Sequence, residues 1–418
     1  MTASDPRSPA TARRAGQEPP LLPLAVRQAL EHPGPFALGL DAWLAAECGA
    51  THPQELAAAV RARQLELLNA DLCHMALHSP LYRQRLAGAG RWSAAGFRPL
   101  HDLSELAELP FTTADDLRPG EALLCVSRDE VARMVTVSTS GSTGAPKRLA
   151  FSDAELARTR DFFAVGMAQM VTAGQHVAVL LPGAHRPRGI TDLLAGSLAP
   201  QGVRVTACMA LADLLLCVPE QAPEGAAARL AAVRAAWQAL AATPAGLGLV
   251  LLPRQMACLW RAFPQTPPGL CAALCAADWL DPGLRRQVEQ GWDCLVLDHY
   301  GSTESAFAGA VQCRCREGRH VRALDLLLEI VHPVTGRVLP AGETGELVIT
   351  TLQRRAMPLL RYRTGDMASL LDGPCACGSP LPRLGPVLGR IEYAGQGFRV
   401  THPRKGGSEE RRSCTITL

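Results

Sequence analysis

The spacing of apolar and polar positions changes character twice along the chain. From Phe36 to Gly90, leucine, alanine and arginine recur at intervals of three and four, as in PQELAAAVRARQLELLNADLCHMALHS, which predicts amphipathic helices. Residues 91–130, broken by Pro99, Pro110 and Pro119, are expected to be loop-rich. From Val131 short aliphatic runs alternate with helical stretches. VARMVTVS reads as a strand, a glycine-rich loop follows, and SDAELARTRDFFAVGMAQMV reads as a helix. HVAVLLP is a buried strand, and ITDLLAGSLAPQG a helix with its stop. LGLVLLP, DPGLRRQVEQGW and DCLVLDHYG continue the order strand, helix, strand from Pro244 onward. This alternation predicts an α/β fold with a largely parallel sheet. Beyond residue 320, LDLLLEIVHPVTGRVLPAGETGELVITTL predicts two or three antiparallel strands joined at TG and AGETG turns. The chain shows no internal repeat and no heptad pattern.

Composition narrows the function classes. Of 418 residues, 48% are hydrophobic and 19% charged, which suits a large buried core and excludes disorder for the bulk of the chain. The net charge of +3, with no long basic block, does not point to nucleic acid. The most apolar stretch, Pro244 to Pro253, is about half of the ~20 residues a spanning helix needs, so no membrane partner is expected. The proline- and arginine-rich start has no secretory pattern. Fourteen cysteines without such a signal suit a reducing, cytoplasmic compartment, where clustered cysteines are metal ligands more often than disulfides. Only two of the 42 basic residues are lysines, Lys147 and Lys405, so any chemistry that needs a lysine must use one of them.

Three segments carry candidate chemistry. STSGSTGAPK, Ser138 to Lys147, places five hydroxyl residues, two glycines and a lysine after a strand. Glycines let a ligand approach the backbone, hydroxyls and N–H groups donate to phosphate oxygens, and the lysine adds charge. The spacing is not that of a Walker A loop. DHYGSTES, Asp298 to Ser305, ends a buried strand, where α/β sheets bind ligands. Its tyrosine can stack on a purine and Glu304 can hold Mg²⁺. In LLRYRTGDMASLL, Leu359 to Leu371, an aspartate follows a glycine turn and can accept two hydrogen bonds from a ribose diol.

Together and in this order, these segments resemble the adenylate-forming superfamily of acyl- and aryl-CoA ligases. RYRTGD, EIVHPVTGRVLPAGETGELVITTL and HSPLYRQRL (His78 to Leu86) are similar to its phenylacetate–CoA ligase-like branch. The resemblance covers roughly residues 70–390. It implies a large α/β adenylate-forming domain of parallel-rich sheets flanked by helices, with a small antiparallel β subdomain. The implied activity is ATP-dependent activation of a small carboxylic acid to an acyl-adenylate, followed by transfer to coenzyme A. Ser140, Gly141, Ser142, Thr143, Gly144 and Lys147 would wrap the β- and γ-phosphates. Tyr300, flanked by His299, Gly301 and Ser302, would pack on adenine, with Ala276, Ala277 and Asp278 of the CAAD segment lining the other side. Thr303 would contact the α-phosphate, Glu304 would bind Mg²⁺, Asp366 would hold the ribose hydroxyls, and Arg390 would sit at the hinge. Lys147, Thr303, Glu304 and Arg390 are thus the implied catalytic set. Cys313, Cys315, His320, Cys375 and Cys377 offer five candidates for a four-coordinate structural Zn²⁺.

Two departures are visible. Where the family more often has Gly or Ser leading the adenine-binding strand, this chain has CAAD, Cys275 to Asp278. Members of the family also continue past the hinge into a small lysine-bearing domain, whereas 28 residues follow Arg390 here, fewer than the ~50 of a small domain. The expected organisation is therefore an unstructured head over residues 1–35, one adenylate-forming domain over 36–390, and a truncated or disordered remnant over 391–418. That leaves open a chain that passes its acyl group to a carrier protein or partner subunit, or one that only binds nucleotide. A homodimer is the assembly considered.

Overall fold

A computed structural model describes residues 22–118, 121–137, 146–216, 223–241, 245–263, 265–394, 397–401 and 413–416. The amino-terminal part is helical: α1 (Leu24–Glu31), α2 (Gly39–Cys48), α3 (Pro53–His78) and α4 (Pro80–Gly88). Helix α3 buries Leu56, Val60, Leu68, Leu72 and Met75, so the three-and-four spacing is its inward stripe. Ser79 ends it and caps α4, accepting the Tyr82 N–H at 3.3 Å with Pro80 at the first helical position. Helix α1 lies within the stretch expected to be unstructured. Its Val26 and Ala29 join the main core, so the ordered part begins earlier than residue 36.

Two short pairs follow, β1 (Trp92–Ser93) with β2 (Gly96–Phe97), and β3 (Arg133–Val137) with β4 (Lys147–Phe151). The second pair corrects the expected passage from the glycine-rich loop straight into a helix. KRLAF is a strand that pairs antiparallel with β3, Val137 facing Lys147. Only then does α5 (Asp153–Met167) begin, with Ser152 and Glu155 forming a capping box.

The alternating segments build the sheet. In chain order they are β5 (His176–Val179), α6 (Ile190–Leu198), β6 (Arg204–Ala207), α7 (Met209–Leu216), α8 (Pro223–Leu240), β7 (Leu247–Leu251), α9 (Pro253–Ala262), β8 (Leu270–Cys275), α10 (Pro282–Trp292) and β9 (Leu295–Tyr300). The parallel order is β6-β5-β7-β8-β9. Because both faces are covered, β5 and β7 are buried at every position, hence their continuous apolar runs. Successive residues still divide between two cores. Val177 and Val179 join the cluster containing α5 and α6, whereas Ala178 and Leu180 join Trp237, Met256 and Trp292 of α8 to α10.

Antiparallel strands extend this block: β10 (Ala310–Gln312), β11 (Arg319–Val321), β12 (Leu326–Val331), β13 (Thr344–Thr351), β14 (Tyr362–Leu371), β15 (Arg383–Leu384), β16 (Gly389–Ala394), β17 (Gly397–Thr401) and β18 (Ser413–Ile416). The sheet path runs β9-β10-β11-β15-β14-β16-β17-β18, with β12 and β13 branching from β14. The fold is therefore the expected one, an α/β structure with a parallel-rich sheet and an antiparallel addition. No helix among the described residues is long and apolar enough to cross a membrane.

The segment after Arg390 departs from the expectation of an unstructured remnant. Strand β17 pairs with β16 from Arg390↔Thr401 to Ala394↔Gly397, and β18 pairs with β17. Ile391, Phe398 and Val400 bury against Met367 as a small core of their own. Only alternate positions of GFRVT are apolar, which suits a strand with one buried face. Gly389, at φ +154°, makes this close pairing possible, since a Cβ there would lie 2.5 Å from the Thr401 carbonyl oxygen. Gly389→Ala should therefore strip amide-exchange protection from residues 397–401 while β7 and β8 keep theirs. Unchanged protection at 397–401 would refute this pairing.

Candidate active site and metal cluster

Strands β8 and β9 are parallel neighbours, with Cys275 opposite Asp298, so their carboxyl ends lie side by side. Past the end of β8, Ala276 is buried and its N–H donates to the Leu251 carbonyl at 3.0 Å. Ala277 is left-handed at φ +64°, a conformation that favours glycine, and Asp278 is exposed. On β9 the alternation of faces separates neighbours. Tyr300 turns to β14, where its hydroxyl donates to Asp366 Oδ2 at 2.8 Å. His299 points the other way, into the core beside Phe163 with ring centroids 6.3 Å apart. The Tyr300–Asp366 contact thus does not include the histidine. Burial, with Arg319 and Arg322 adding to it, pushes His299 down to about 4, so the ring is neutral near pH 7. Asp298 is closed off in a buried ion pair with Arg319.

Asp366 is the meeting point of two elements. It pairs with Arg390 across β14 and β16, and Arg390 Nη1 donates to its Oδ1 at 2.6 Å. Gly365, at φ +75°, leaves room for this guanidinium, because a Cβ would lie 3.3 Å from Nη2. Both carboxylate oxygens are therefore engaged, one by a tyrosine and one by a largely exposed arginine.

The turn after β9 carries the next group. Gly301 is required by space alone, since a Cβ would meet the Phe307 carbonyl and the His299 ring at 2.5 Å. Ser302 and Ser305 brace the turn reciprocally: the Ser302 N–H donates to Ser305 Oγ at 2.9 Å, and the Ser305 N–H to Ser302 Oγ at 3.2 Å. Thr303 is half-buried and its carbonyl accepts the Ala306 N–H at 3.1 Å. Glu304 is buried and forms an ion pair with Lys147 at the start of β4. The Tyr362 hydroxyl donates to Glu304 Oε1 at 3.1 Å and lies 3.4 Å from Lys147 Nζ. Burial alone would raise the Glu304 carboxyl, but Lys147 and the Tyr362 hydroxyl hold it below the usual carboxylate range, so it stays ionised. Ser140, Gly141, Ser142, Thr143 and Gly144 lie outside the described residues.

The cysteine candidates resolve into one set. Cys313 follows β10, His320 lies on β11, and Cys375 and Cys377 lie between β14 and β15. Their ligand atoms all fall within 4.8 Å of one another. Cys313 Sγ and Cys375 Sγ are 3.7 Å apart, and Cys377 Sγ is 3.6 Å from His320 Nε2. A tetrahedral ion with bonds of about 2.3 Å to sulfur and about 2.0 Å to nitrogen has sulfur–sulfur edges of about 3.8 Å and sulfur–nitrogen edges of about 3.5 Å. The observed separations fit. Burial and Arg383 push His320 down to about 4, leaving the neutral imidazole that ligates metals. Cys315 is exposed and stands outside the set.

Two side chains that sequence did not single out complete the picture. Tyr362 shares a strand with Asp366 and lies four residues before it, a period-two signal that could have marked it. Arg354 has no such signal. It is buried, and its Nη1 donates to the Glu304 carbonyl at 2.6 Å.

A family model described as "AMP-binding enzyme" matches residues 123–353. The phenylacetate-coenzyme A ligase of Thermus thermophilus is 32% identical over 346 residues, covering 80% of this chain and 71% of that protein. That of Pseudomonas putida is 30% identical over 355 residues, covering 81% and 73%. Among solved structures, an open conformation of 2-hydroxyisobutyryl-CoA ligase in complex with 2-HIB-AMP and CoA aligns with a TM-score of 0.61 at 20% identity, covering 83% of this chain and 73% of that one, a likeness of fold. The chain belongs to the AMP-binding enzyme family, in its phenylacetate–CoA ligase-like branch.

Proposed function

We propose that this protein is an AMP-forming acid–thiol ligase: it activates a carboxylic acid with ATP and passes the acyl group to coenzyme A. The observation that carries the reading is the convergence of Lys147, Glu304 and Tyr362 beside Tyr300, Asp366 and Arg390 at the carboxyl ends of β8 and β9. In the first half-reaction a carboxylate oxygen attacks the α-phosphorus, the bond to the bridging oxygen breaks, and pyrophosphate leaves. In the second, a thiol attacks the acyl carbonyl and AMP leaves. Relatives named phenylacetate-coenzyme A ligase support a CoA-ligase activity, and phenylacetate is the first acid to try.

The residues divide the task. Lys147 and the loop from Ser140 to Gly144 take the β- and γ-phosphates, and Thr303 takes the α-phosphate. Tyr300 packs on the base, with Ala276, Ala277 and Asp278 along the neighbouring strand end. Asp366 holds the ribose diol, aided by Arg390. Glu304 holds Mg²⁺, which shields phosphate charge when bound. Most of the rate gain then comes from positioning and charge neutralisation. Zn²⁺ would be held by Cys313, His320, Cys375 and Cys377, tying β10, β11 and the loop before β15 together; with four protein ligands its role is structural.

Purified protein with Mg²⁺ should catalyse ATP–pyrophosphate exchange with at least one acid of a panel led by phenylacetate. Lys147→Met and Glu304→Gln should each lower that exchange by about 10²-fold. Absence of both exchange and nucleotide binding would defeat the reading. Elemental analysis should find one zinc per chain, lost in Cys375→Ser and kept in Cys315→Ser. Equal zinc content in those two variants would reject the assigned ligand set.

A further inference from the structure

We infer that Arg354 is a positioning residue for Glu304, holding the main chain from behind so that the carboxylate meets Lys147 and the metal in the right place. This rests on the function proposed above and adds to it a residue that touches neither substrate nor metal.

The geometry is specific. Arg354 is 3% exposed, and its Nη1 donates to the Glu304 carbonyl at 2.6 Å. Its Cζ also lies 4.5 Å from the ring centroid of Phe151, on the β4 strand that begins with Lys147. One guanidinium therefore bears on both supports of the ion pair, the turn that carries the acid and the strand that carries the base. The turn needs such support. Ala306 and Phe307, two and three residues after Glu304, are left-handed at φ +54° and +69°, a conformation disfavoured for residues with a side chain. On the far side of the turn, Thr159 Oγ1 of α5 lies 3.2 Å from the Ala306 carbonyl, and Arg322 Nη1 donates to that hydroxyl at 3.3 Å.

Filling space does not account for Arg354. Its Nε and Nη2 are buried without a protein hydrogen-bond partner, and the residue lines a small cavity with Glu155, Ser305, Ala306 and Arg322. Burying a cation with unused donors costs free energy that an aliphatic residue at that place would avoid. Its one strong hydrogen bond goes to the carbonyl of the metal-binding residue. Glu155 ties the same segment to the start of α5, accepting the Ala356 N–H at 2.7 Å through Oε1 and the Ser152 N–H at 3.0 Å through Oε2.

The test compares wild type with Arg354→Met and Arg354→Lys, the lysine keeping one donor and the charge. A fluorescent ATP analogue is titrated with Mg²⁺ and again with EDTA, and ATP–pyrophosphate exchange is followed as Mg²⁺ is varied. The expected result for Arg354→Met is a kcat about 10²-fold lower, the effect of a displacement of about an ångström. The Mg²⁺-dependent gain in ATP affinity should largely disappear, affinity in EDTA should stay within about twofold, and Arg354→Lys should recover much of both losses. A merely structural role would lower the melting temperature without changing the ratio of the two affinities. If wild type shows that ratio and folded Arg354→Met keeps it, the assignment is overturned. If Arg354→Met does not fold, Arg354→Gln decides, since it removes the charge and shortens the reach; an Mg²⁺-dependent gain in ATP affinity equal to wild type in that variant would equally overturn the assignment. A wild type that binds the analogue in neither condition would instead overturn the functional reading.

Discussion

Glu304 is a buried carboxylate that must stay ionised, and the site is arranged around meeting that demand. Leaving such a charge unpaired in a protein interior costs several kcal/mol, so a cation must be brought to it. In a chain with two lysines, the cation is Lys147, 157 residues earlier. The remaining help is Tyr362, 58 residues later. These positions belong to an antiparallel strand pair, a turn leaving the parallel block and a strand of the antiparallel addition. The pair therefore forms only where all three parts of the fold meet.

The same convergence explains the division of labour. Strand β9 delivers Tyr300, and its turn delivers Thr303 and Glu304. Strand β14 delivers Tyr362 and Asp366 on one face, and β16 adds Arg390 by direct register with Asp366. The free protein satisfies these groups internally, with Lys147 on Glu304 and with Tyr300 and Arg390 on Asp366. A nucleotide that supplies phosphates and a ribose diol would exchange those contacts rather than meet bare charges. Preorganisation of this kind limits the reorganisation left for the moment of reaction.

Much of this was legible in the sequence because two strong signals coincide. Runs such as HVAV and LGLVL are apolar at every position because helices cover both sheet faces, and one motif, DHYGSTES, falls where a strand of the same parallel block, β9, ends. What escaped detection had weak local signals. KRLAF is short and begins with two basic residues, so it did not read as a strand, although its pairing with β3 places Lys147. GFRVT has one buried face and a core of only four residues, too little to stand out. His299 is adjacent to Tyr300 in sequence but opposite in direction, an outcome the two-residue period of a strand dictates. Cys313 and Cys315 look equivalent in CRCREG, and only the fold turns one inward. Arg354 acts through a main-chain carbonyl, which side-chain patterns do not reveal.

The central claim is that Lys147 and Glu304 form a coupled, buried pair in the nucleotide-free protein. A double-mutant cycle with Lys147→Met and Glu304→Gln, read as unfolding free energy without ligand, measures that coupling directly. Each single change leaves a partner unmatched, so the double variant should be less destabilised than the sum, with a coupling of about 1–3 kcal/mol. Additivity within about 0.5 kcal/mol would mean the two side chains do not depend on each other, and the account would be wrong.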